Sequence, residues 1–213
     1  MKPDVEKTIT ALSERKFEPD PLAGQHFSRI VSLMSSAYKR HGNILEAAIR
    51  AQLATNENFE VWTDPGFKVS QPAKNVAVKM PVDSYGPVTK QVKYGKEDGT
   101  FQVDVLVWNK SEKSLKTYEI KRAHGNHDSG KKRSMRQEAL TTEALLVDYA
   151  HKRGFKAKSV RSHVIFYYGK RSLPAPMGII GDEIDEHFGM SVMAEVEAVN
   201  EYFRRRLFEI LSN

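Results

Sequence analysis

An aspartate in the middle of an apolar run is the feature that most narrows what this chain can fold into. Residues 101–108, FQVDVLVW, are rich in β-branched and aromatic side chains and predict a strand with Asp104 near its centre. A turn over residues 109–114 and a second strand pattern over residues 115–122, LKTYEIKR, follow directly. An unpaired carboxylate buried in the first strand would cost several kcal/mol. Asp104 therefore needs a cation beside it.

The second strand offers both a further carboxylate and a cation. Because side chains two apart share one face of a strand, Glu119 and Lys121 are predicted to point the same way. Lys121 can compensate Asp104, but pairing Asp104 with Glu119 across the strands also brings two like charges together, which repel unless a divalent ion lies between them. Mg²⁺ takes one or two protein carboxylates and accepts phosphate oxygens. These groups together predict metal-assisted hydrolysis of a phosphodiester.

The charge of the chain is concentrated beside these strands. The formal net charge is +6, and residues 110–136 alone carry nine basic and three acidic side chains, so the rest of the chain sums to zero. A concentrated positive region favours a polyanion such as double-stranded DNA, although a solvated basic loop has the same composition. The predicted phosphate contacts are Arg122, Lys131, Lys132, Arg133 and Arg136.

Hydrophobic periodicity predicts an α/β fold with a mixed central β-sheet flanked by helices. The length of 213 residues suits a single domain. Glu46 is predicted on the rim of an apolar helix face that includes Leu45, Ala48, Ile49 and Leu53, so that it points toward the body of the protein. The other predicted elements are two helical pieces within residues 27–53 separated at 41–43, a short strand at 59–62, a loop-rich insertion at 63–99, a helix at 134–154, a strand at 162–168 and a C-terminal helix at 191–211.

The order of these parts resembles the PD-(D/E)xK nuclease superfamily, whose best-known members are type II restriction endonucleases. The resemblance covers about residues 43–168 and is carried by Asp104, by Glu119-Ile120-Lys121 after a gap of fourteen residues, and by the helices before and after. It implies that Asp104 and Glu119 ligate Mg²⁺ together with the Ile120 carbonyl, and that Lys121 positions and acidifies the attacking water. It also implies that Glu46 assists with metal or water. Val103 departs from the proline of the motif.

The same resemblance implies a restriction-endonuclease-like core and a homodimer that cuts both strands of a short DNA palindrome. Residues 63–99 and 169–177 are expected to supply base contacts, because loops beside the site can enter a groove. A structure-specific, repair or phage-type nuclease would carry the same core residues. A module that binds DNA without cutting it is the non-enzymatic alternative.

Two other sites are weighed and disfavoured. The segment GNHDSGKK, residues 125–132, nearly spells a phosphate-binding loop, but Lys132 stands where a Ser or Thr must meet Mg²⁺. His124, His127 and Asp128 lie close together in sequence, although such a cluster in a glycine-containing segment is more often an ordinary loop.

Composition excludes several further classes. The chain has no cysteine, so disulfides, thiolate nucleophiles and cysteine-held zinc are ruled out. No apolar run approaches the length of a membrane span, and the first sixteen residues lack the apolar stretch of a signal peptide. We therefore expect a protein that does not enter the membrane and that stays in the cytoplasm.

Overall fold

A computed structural model describes residues 1–15, 18–122 and 127–212, apart from the side chains of Gln25 and His26. The chain folds into one five-stranded sheet with helices on both faces, as the periodicity predicts. The strands are β1 (Phe59–Val69), β2 (Gly99–Asn109), β3 (Ser114–Lys121), β4 (Ser159–Phe166) and β5 (Gly178–Ile180). The helices are α1 (Lys2–Ser13), α2 (Gly24–Leu53), α3 (Gln71–Lys79), α4 (Ser129–Glu143), α5 (Leu146–Lys152), α6 (Ile184–Phe188) and α7 (Met193–Leu211), with a 3₁₀ turn at Gly181–Glu183.

The sheet is mixed, and the strands lie side by side in chain order from β1 to β5. The pairs β1–β2 and β2–β3 are antiparallel, whereas β3–β4 and β4–β5 are parallel. A short turn suffices for an antiparallel pair, but the parallel step from β3 to β4 needs a crossover, which α4 and α5 provide. The end of β3 therefore leads directly into the segment before α4.

Alternation along β2 divides the core between the two faces of the sheet. Leu106 and Trp108 pack toward α3, α4 and α5, whereas Val105 and Val107 pack toward α2 and the start of α7. A third apolar cluster joins α1, α2 and α7 at one side of the molecule, around Val5, Leu33 and Phe203. Helix α2 thus contributes to two clusters, and its carboxyl-terminal half lies against the sheet.

The predicted break at residues 41–43 is wrong, because α2 is one continuous helix of 30 residues. His41 is buried, and Ile44 and Leu45 beside it are buried in two different clusters. Gly42 costs about 1 kcal/mol relative to alanine inside a helix. Burying the flanking apolar side chains offsets that cost, since most helical stability in proteins comes from packing.

The predicted loop-rich insertion at 63–99 is partly wrong, because its first half is regular structure. Strand β1 continues to Val69, with Phe67 and Val69 fully buried and paired with Phe101 and Gly99. Helix α3 then begins beside Pro72, which is tolerated in the first turn of a helix. Within this predicted insertion, Ser70 and residues 80–98 lie outside the helices and strands, and residues 80–98 contain one isolated bridge.

The predicted helix at 134–154 is two helices, with a break after Glu143. The carbonyl of Ala144 accepts a hydrogen bond from Val92 N at 2.7 Å. The Glu143 carboxylate, which is completely buried, accepts hydrogen bonds from Val88 N at 2.6 Å and from Ser162 N at 2.9 Å. The break therefore allows the end of α4 to hold both the irregular segment and β4.

The predicted C-terminal helix is confirmed as α7. Across the described parts of the chain, we find no helix with the length and apolar character that a membrane crossing requires.

Candidate active site

Asp104 and Glu119 lie together where the pairing of β2 and β3 stops. The last paired residues on this side are Val105 and Tyr118, so one further step of the same register sets Asp104 opposite Glu119. Instead of continuing the ladder, Asp104 turns its side chain to the backbone of the neighbouring strand, where Oδ2 accepts a hydrogen bond from Ile120 N at 2.8 Å. Asp104 is 5% exposed. A short polar side chain thus takes over a ladder contact at the edge of the core.

The carboxyl group of Glu119 interacts with both Asp104 and Lys121. Lys121 Nζ is in direct contact with Glu119 Oε1, in line with the expectation that residues two apart share a face. Burial, followed by the negative charge of Asp104, raises the pKa of Glu119 despite the opposing charge of Lys121. The predicted triad of Asp104, Glu119 and Lys121 is therefore assembled at one place.

Lys121 stays cationic in this setting. Burial alone would lower the pKa of its ammonium group, but the carboxylates of Glu119, Asp104 and Glu138 outweigh that effect and raise the pKa. Lys121 is thus suited to hold a negative group and not to accept a proton at neutral pH.

Glu46 approaches the triad from α2. Burial, followed by the charges of Asp104 and Glu119, raises the pKa of Glu46 to about 7, although Lys121 and Arg50 act in the opposite direction. Glu46 also shares an open depression with Asp104, which is lined by Asn43, Glu46, Arg50, Thr63, Pro65, Gln102, Val103 and Asp104. The predicted position of Glu46 on the rim of the apolar face is confirmed.

The carboxylate oxygens of Asp104 and Glu119 are the possible ligands for a divalent cation in this site. In the described parts of the chain, no three His, Asp or Glu side chains are grouped to enclose an ion by themselves. Mg²⁺ nevertheless needs only one or two protein carboxylates, and Asp104 and Glu119 supply two. Burial is the main cause of the raised pKa values of Glu119 and Glu46, and the neighbouring carboxylates add to it. These oxygen atoms are therefore compatible with Mg²⁺. The backbone carbonyl of Ile120, the residue after Glu119, is the further ligand that the resemblance implies.

Two residues of the site were not predicted. Gln102 Nε2 donates a hydrogen bond to Asp104 Oδ1 at 3.1 Å, and the spacing of two residues along a strand could have indicated this contact. Glu138 on α4 adds to the negative charge around Lys121 and accepts a hydrogen bond from Ser134 Oγ at 2.6 Å. No sequence signal connects Glu138 with the triad, because only the crossover brings α4 over this end of β3.

The predicted phosphate contacts separate into three environments. Lys131 and Arg133 are exposed and Lys132 is half-buried at the start of α4, whose first turn is capped by the Asp128 side chain through Lys131 N at 2.8 Å. The capping carboxylate already satisfies one N–H of the helix end, so phosphate attraction there depends on the side-chain charges.

Arg136 and Arg122 are placed differently from those three. Arg136 is buried and donates hydrogen bonds to the carbonyls of Pro81 and Ser84, so it holds residues 80–98 and does not face solvent. Arg122 lies in a separate cavity between α2 and α7.

The histidine cluster weighed from the sequence lies partly outside the described residues, since His124 is not among them. The His127 ring is 2.9 Å from Ser172 Oγ through Nδ1, and Asp128 caps α4. Both side chains thus have structural partners.

Comparison with known proteins adds no family to this geometry. No protein-family model matches the chain, and neither does any curated protein or solved structure. Its function must therefore be inferred from the side chains described above.

Proposed function

We propose that this protein is a Mg²⁺-dependent nuclease that hydrolyses phosphodiester bonds in DNA. The observation that carries the proposal is the meeting of Asp104, Glu119 and Lys121 at the point where two core strands part. Burying two carboxyl groups and the Lys121 ammonium group costs folding free energy, and such clusters are more frequent at functional sites. Their chemistry suits a metal ion and a phosphate better than it suits a purely structural ion pair.

Each side chain has a distinct task in this proposal. Asp104 and Glu119 are the carboxylates that would hold the ion, and the hydrogen bond from Ile120 N fixes the orientation of Asp104 before an ion arrives. Bound Mg²⁺ would neutralise phosphate charge and make water more acidic. Lys121, which remains protonated, would offset the negative charge that develops on the phosphate. Glu46, whose pKa is raised to about 7, lies beside these two carboxylates and would assist with metal or water.

The exposed cations at the start of α4 support a DNA substrate. Lys131 and Arg133 are exposed and Lys132 is half-buried at the start of α4, the helix whose Glu138 lines one pocket with Glu119. Charged side chains at such a position contact phosphates without selecting a base sequence. Arg136 is not part of this proposed surface, because its guanidinium is already bound to backbone carbonyls.

Within this function, we favour restriction of foreign DNA by a homodimer, as the resemblance implies. A structure-specific or repair nuclease is the main alternative, and a DNA-binding module without activity is the second. The three roles share the triad and differ in the DNA that they recognise. Their products therefore distinguish them better than any single substitution.

Digestion of long DNA followed by sequencing of the ends tests the proposal. The purified protein is incubated with Mg²⁺, and a parallel sample contains a chelator in excess. We expect cleavage only with Mg²⁺, and discrete fragments with one recurrent end sequence would support restriction. Random ends or cutting only at junctions would support the alternative nuclease roles. Tight binding without cutting in either sample would contradict the enzymatic proposal.

A further inference from the structure

A cavity of about 370 Å³ lies between α2, α7 and the residues that follow β3 and β4. Aromatic rings make up much of its wall, and Arg122 supplies a positive charge. Cavities of this size are typical of sites for small molecules or for single groups of a larger ligand. Its lining includes Tyr38, His41, Arg122, Tyr168, Glu197 and Asn200.

This cavity is connected to the candidate active site through two elements. Arg122 directly follows Lys121, and the backbone N–H of Tyr168 donates to the Arg122 carbonyl at 3.1 Å. On α2, His41 and Glu46 are five residues apart, which corresponds to about 7.5 Å along a helix axis. The cavity therefore neighbours the triad along both β3 and α2.

Arg122 is held in place with hydrogen-bonding capacity to spare. Its Nε donates to His41 Nδ1 at 3.1 Å, and its guanidinium carbon lies 4.6 Å from the ring centre of Tyr38 and 5.6 Å from that of Tyr168. Within the described part of the chain, no hydrogen-bond acceptor is found for its two terminal nitrogens. A guanidinium fixed between two aromatic rings, with free donors, suits a phosphate or a base edge.

A buried polar network supports this arrangement. Since His41 Nδ1 accepts from Arg122, its Nε2 must donate, and it lies 3.0 Å from Asn200 Oδ1. Asn200 in turn donates to Glu197 Oε1 at 3.2 Å. His41 is 7% exposed and Asn200 is 6% exposed. Both side chains are buried and hydrogen-bonded, which indicates that the wall of the cavity is a fixed part of the fold.

From these contacts we infer that the cavity binds one unpaired nucleobase of the DNA substrate, with Arg122 on the neighbouring phosphate. The inference rests on the proposed nuclease function for the identity of the ligand. Aromatic rings and a guanidinium plane are the surfaces on which proteins stack bases. A base held in a duplex cannot enter a cavity between two helices, so only an extruded or single-stranded base fits. The substrate would then carry an unpaired nucleotide, or acquire one, close to the scissile bond.

Binding to two matched DNAs tests this inference without requiring cleavage. One DNA is a fully paired duplex, and the other is the same duplex with one extra unpaired nucleotide. In a second preparation of the latter DNA, the unpaired nucleotide is 2-aminopurine. The full chain is titrated in chelator while anisotropy and 2-aminopurine fluorescence are recorded. We expect the unpaired nucleotide to tighten binding about 5- to 150-fold, from a stacking contribution of about 1–3 kcal/mol per base. The probe fluorescence should change on binding.

Variants at the exposed rings provide the comparison. Tyr168→Ala and, independently, Tyr38→Ala should reduce the preference for the unpaired DNA toward one, whereas Tyr168→Phe, which keeps the ring, should retain it. Both tyrosines are more than 40% exposed, so the folded state should tolerate truncation, and thermal melting verifies this. Equal affinity of the wild-type protein for both DNAs, or a preference unchanged in both alanine variants, would overturn the inference.

Cleavage assays with Mg²⁺ on the same two DNAs separate this inference from the proposed function. If neither DNA is cut but the preference and the probe signal are present, the nuclease proposal is wrong and the cavity assignment stands. If DNA is cut but the preference is absent, only the cavity assignment is wrong.

Discussion

The Asp104 side chain accepts a hydrogen bond from the backbone N–H of Ile120, with 2.8 Å between Oδ2 and N. Asp104 therefore has two tasks, since it closes the end of the β2–β3 ladder and also faces Glu119. An asparagine at this position can still accept the hydrogen bond through its amide oxygen, but it carries no charge. The structural and the electrostatic contributions of Asp104 can thus be separated by experiment.

Asp104→Asn should remove cleavage and leave folding intact. We expect at least about a 10²- to 10³-fold loss of plasmid cutting with Mg²⁺, which is typical when one preorganised electrostatic group is removed. Thermal melting should show a folded protein, and DNA binding in chelator should remain measurable. An unfolded variant would show that Asp104 is required for the fold first, and full activity would exclude it as a metal ligand.

Lys121→Ala should also abolish cleavage, because it removes the ammonium group that lies next to Glu119. Lys116→Ala is the matched control, since Lys116 lies on the same strand but outside the triad, beside Glu112. Both proteins are compared for supercoiled plasmid relaxation at equal concentration. Loss of activity in both variants to the same extent would point to a general charge effect and not to a role in the site.

The exposed cations of α4 should determine the salt dependence of DNA binding. The double variant Lys131→Ala/Arg133→Ala should bind more weakly, and the slope of log affinity against log salt should become shallower by about two, at about 0.9 per phosphate contact. Lys156→Ala/Lys158→Ala removes the same charge at the opposite end of the sheet, before β4, and should change the slope little. Equal slopes for the two double variants would contradict a localised DNA surface.

Arg136→Ala should lower stability instead of the salt slope. Its guanidinium donates to Ser84 O at 3.0 Å from Nη2 and is buried. Truncation leaves the carbonyls of Pro81 and Ser84 without this donor, and we expect a loss of about 1–3 kcal/mol in the free energy of unfolding by denaturant titration. If the variant instead has wild-type stability and its DNA affinity depends less steeply on salt, Arg136 contacts phosphate after all.

The buried His163 and the half-buried His187 should make the protein sensitive to acid. Burial lowers the pKa of His163 to about 3 and that of His187 to about 4. The unfolded chain therefore binds more protons, so stability is fully present above about pH 6.5 and is lost as the pH falls toward 4. Each histidine should contribute about 1 kcal/mol per pH unit in this range.

His163→Phe keeps a ring against Tyr118 and should flatten the loss of stability between about pH 6 and pH 4. The variant gives up the hydrogen bond of Nδ1 with Pro176 O, so its stability at pH 8 should be lower than that of the wild type. His151→Gln, at an exposed position on α5, serves as the control. Parallel pH profiles for wild type and His163→Phe would contradict the assignment.

Local patterns identified the central strands and the triad because the relevant signals are short in range. Alternation places Glu119 and Lys121 on one face whatever the rest of the fold does, and a four-residue turn brings Asp104 to them. The ends of the helices were harder to predict from the sequence. Packing of Ile44 and Leu45 carries α2 through Gly42, and a hydrogen bond from Val92 to Ala144 interrupts the helix after Glu143.

The cavity around Arg122 could not be predicted from sequence. Its walls come from α2, from the ends of β3 and β4 and from α7, which are far apart in the chain. Arg122 was predicted as one more phosphate contact in a basic segment, and no periodicity connects it with His41 or Asn200. Such a site depends on how the helices pack, which spacing along the sequence does not specify.

Residues 80–98 are held to the body of the protein through backbone atoms, since Arg136 binds carbonyls of this segment and Glu143 binds the N–H of Val88. Neither anchor requires a particular side chain in the segment. In related chains, the exposed positions of this segment can consequently diverge while its path is kept, provided that the two anchoring residues of α4 persist and that Val88 stays apolar in the core.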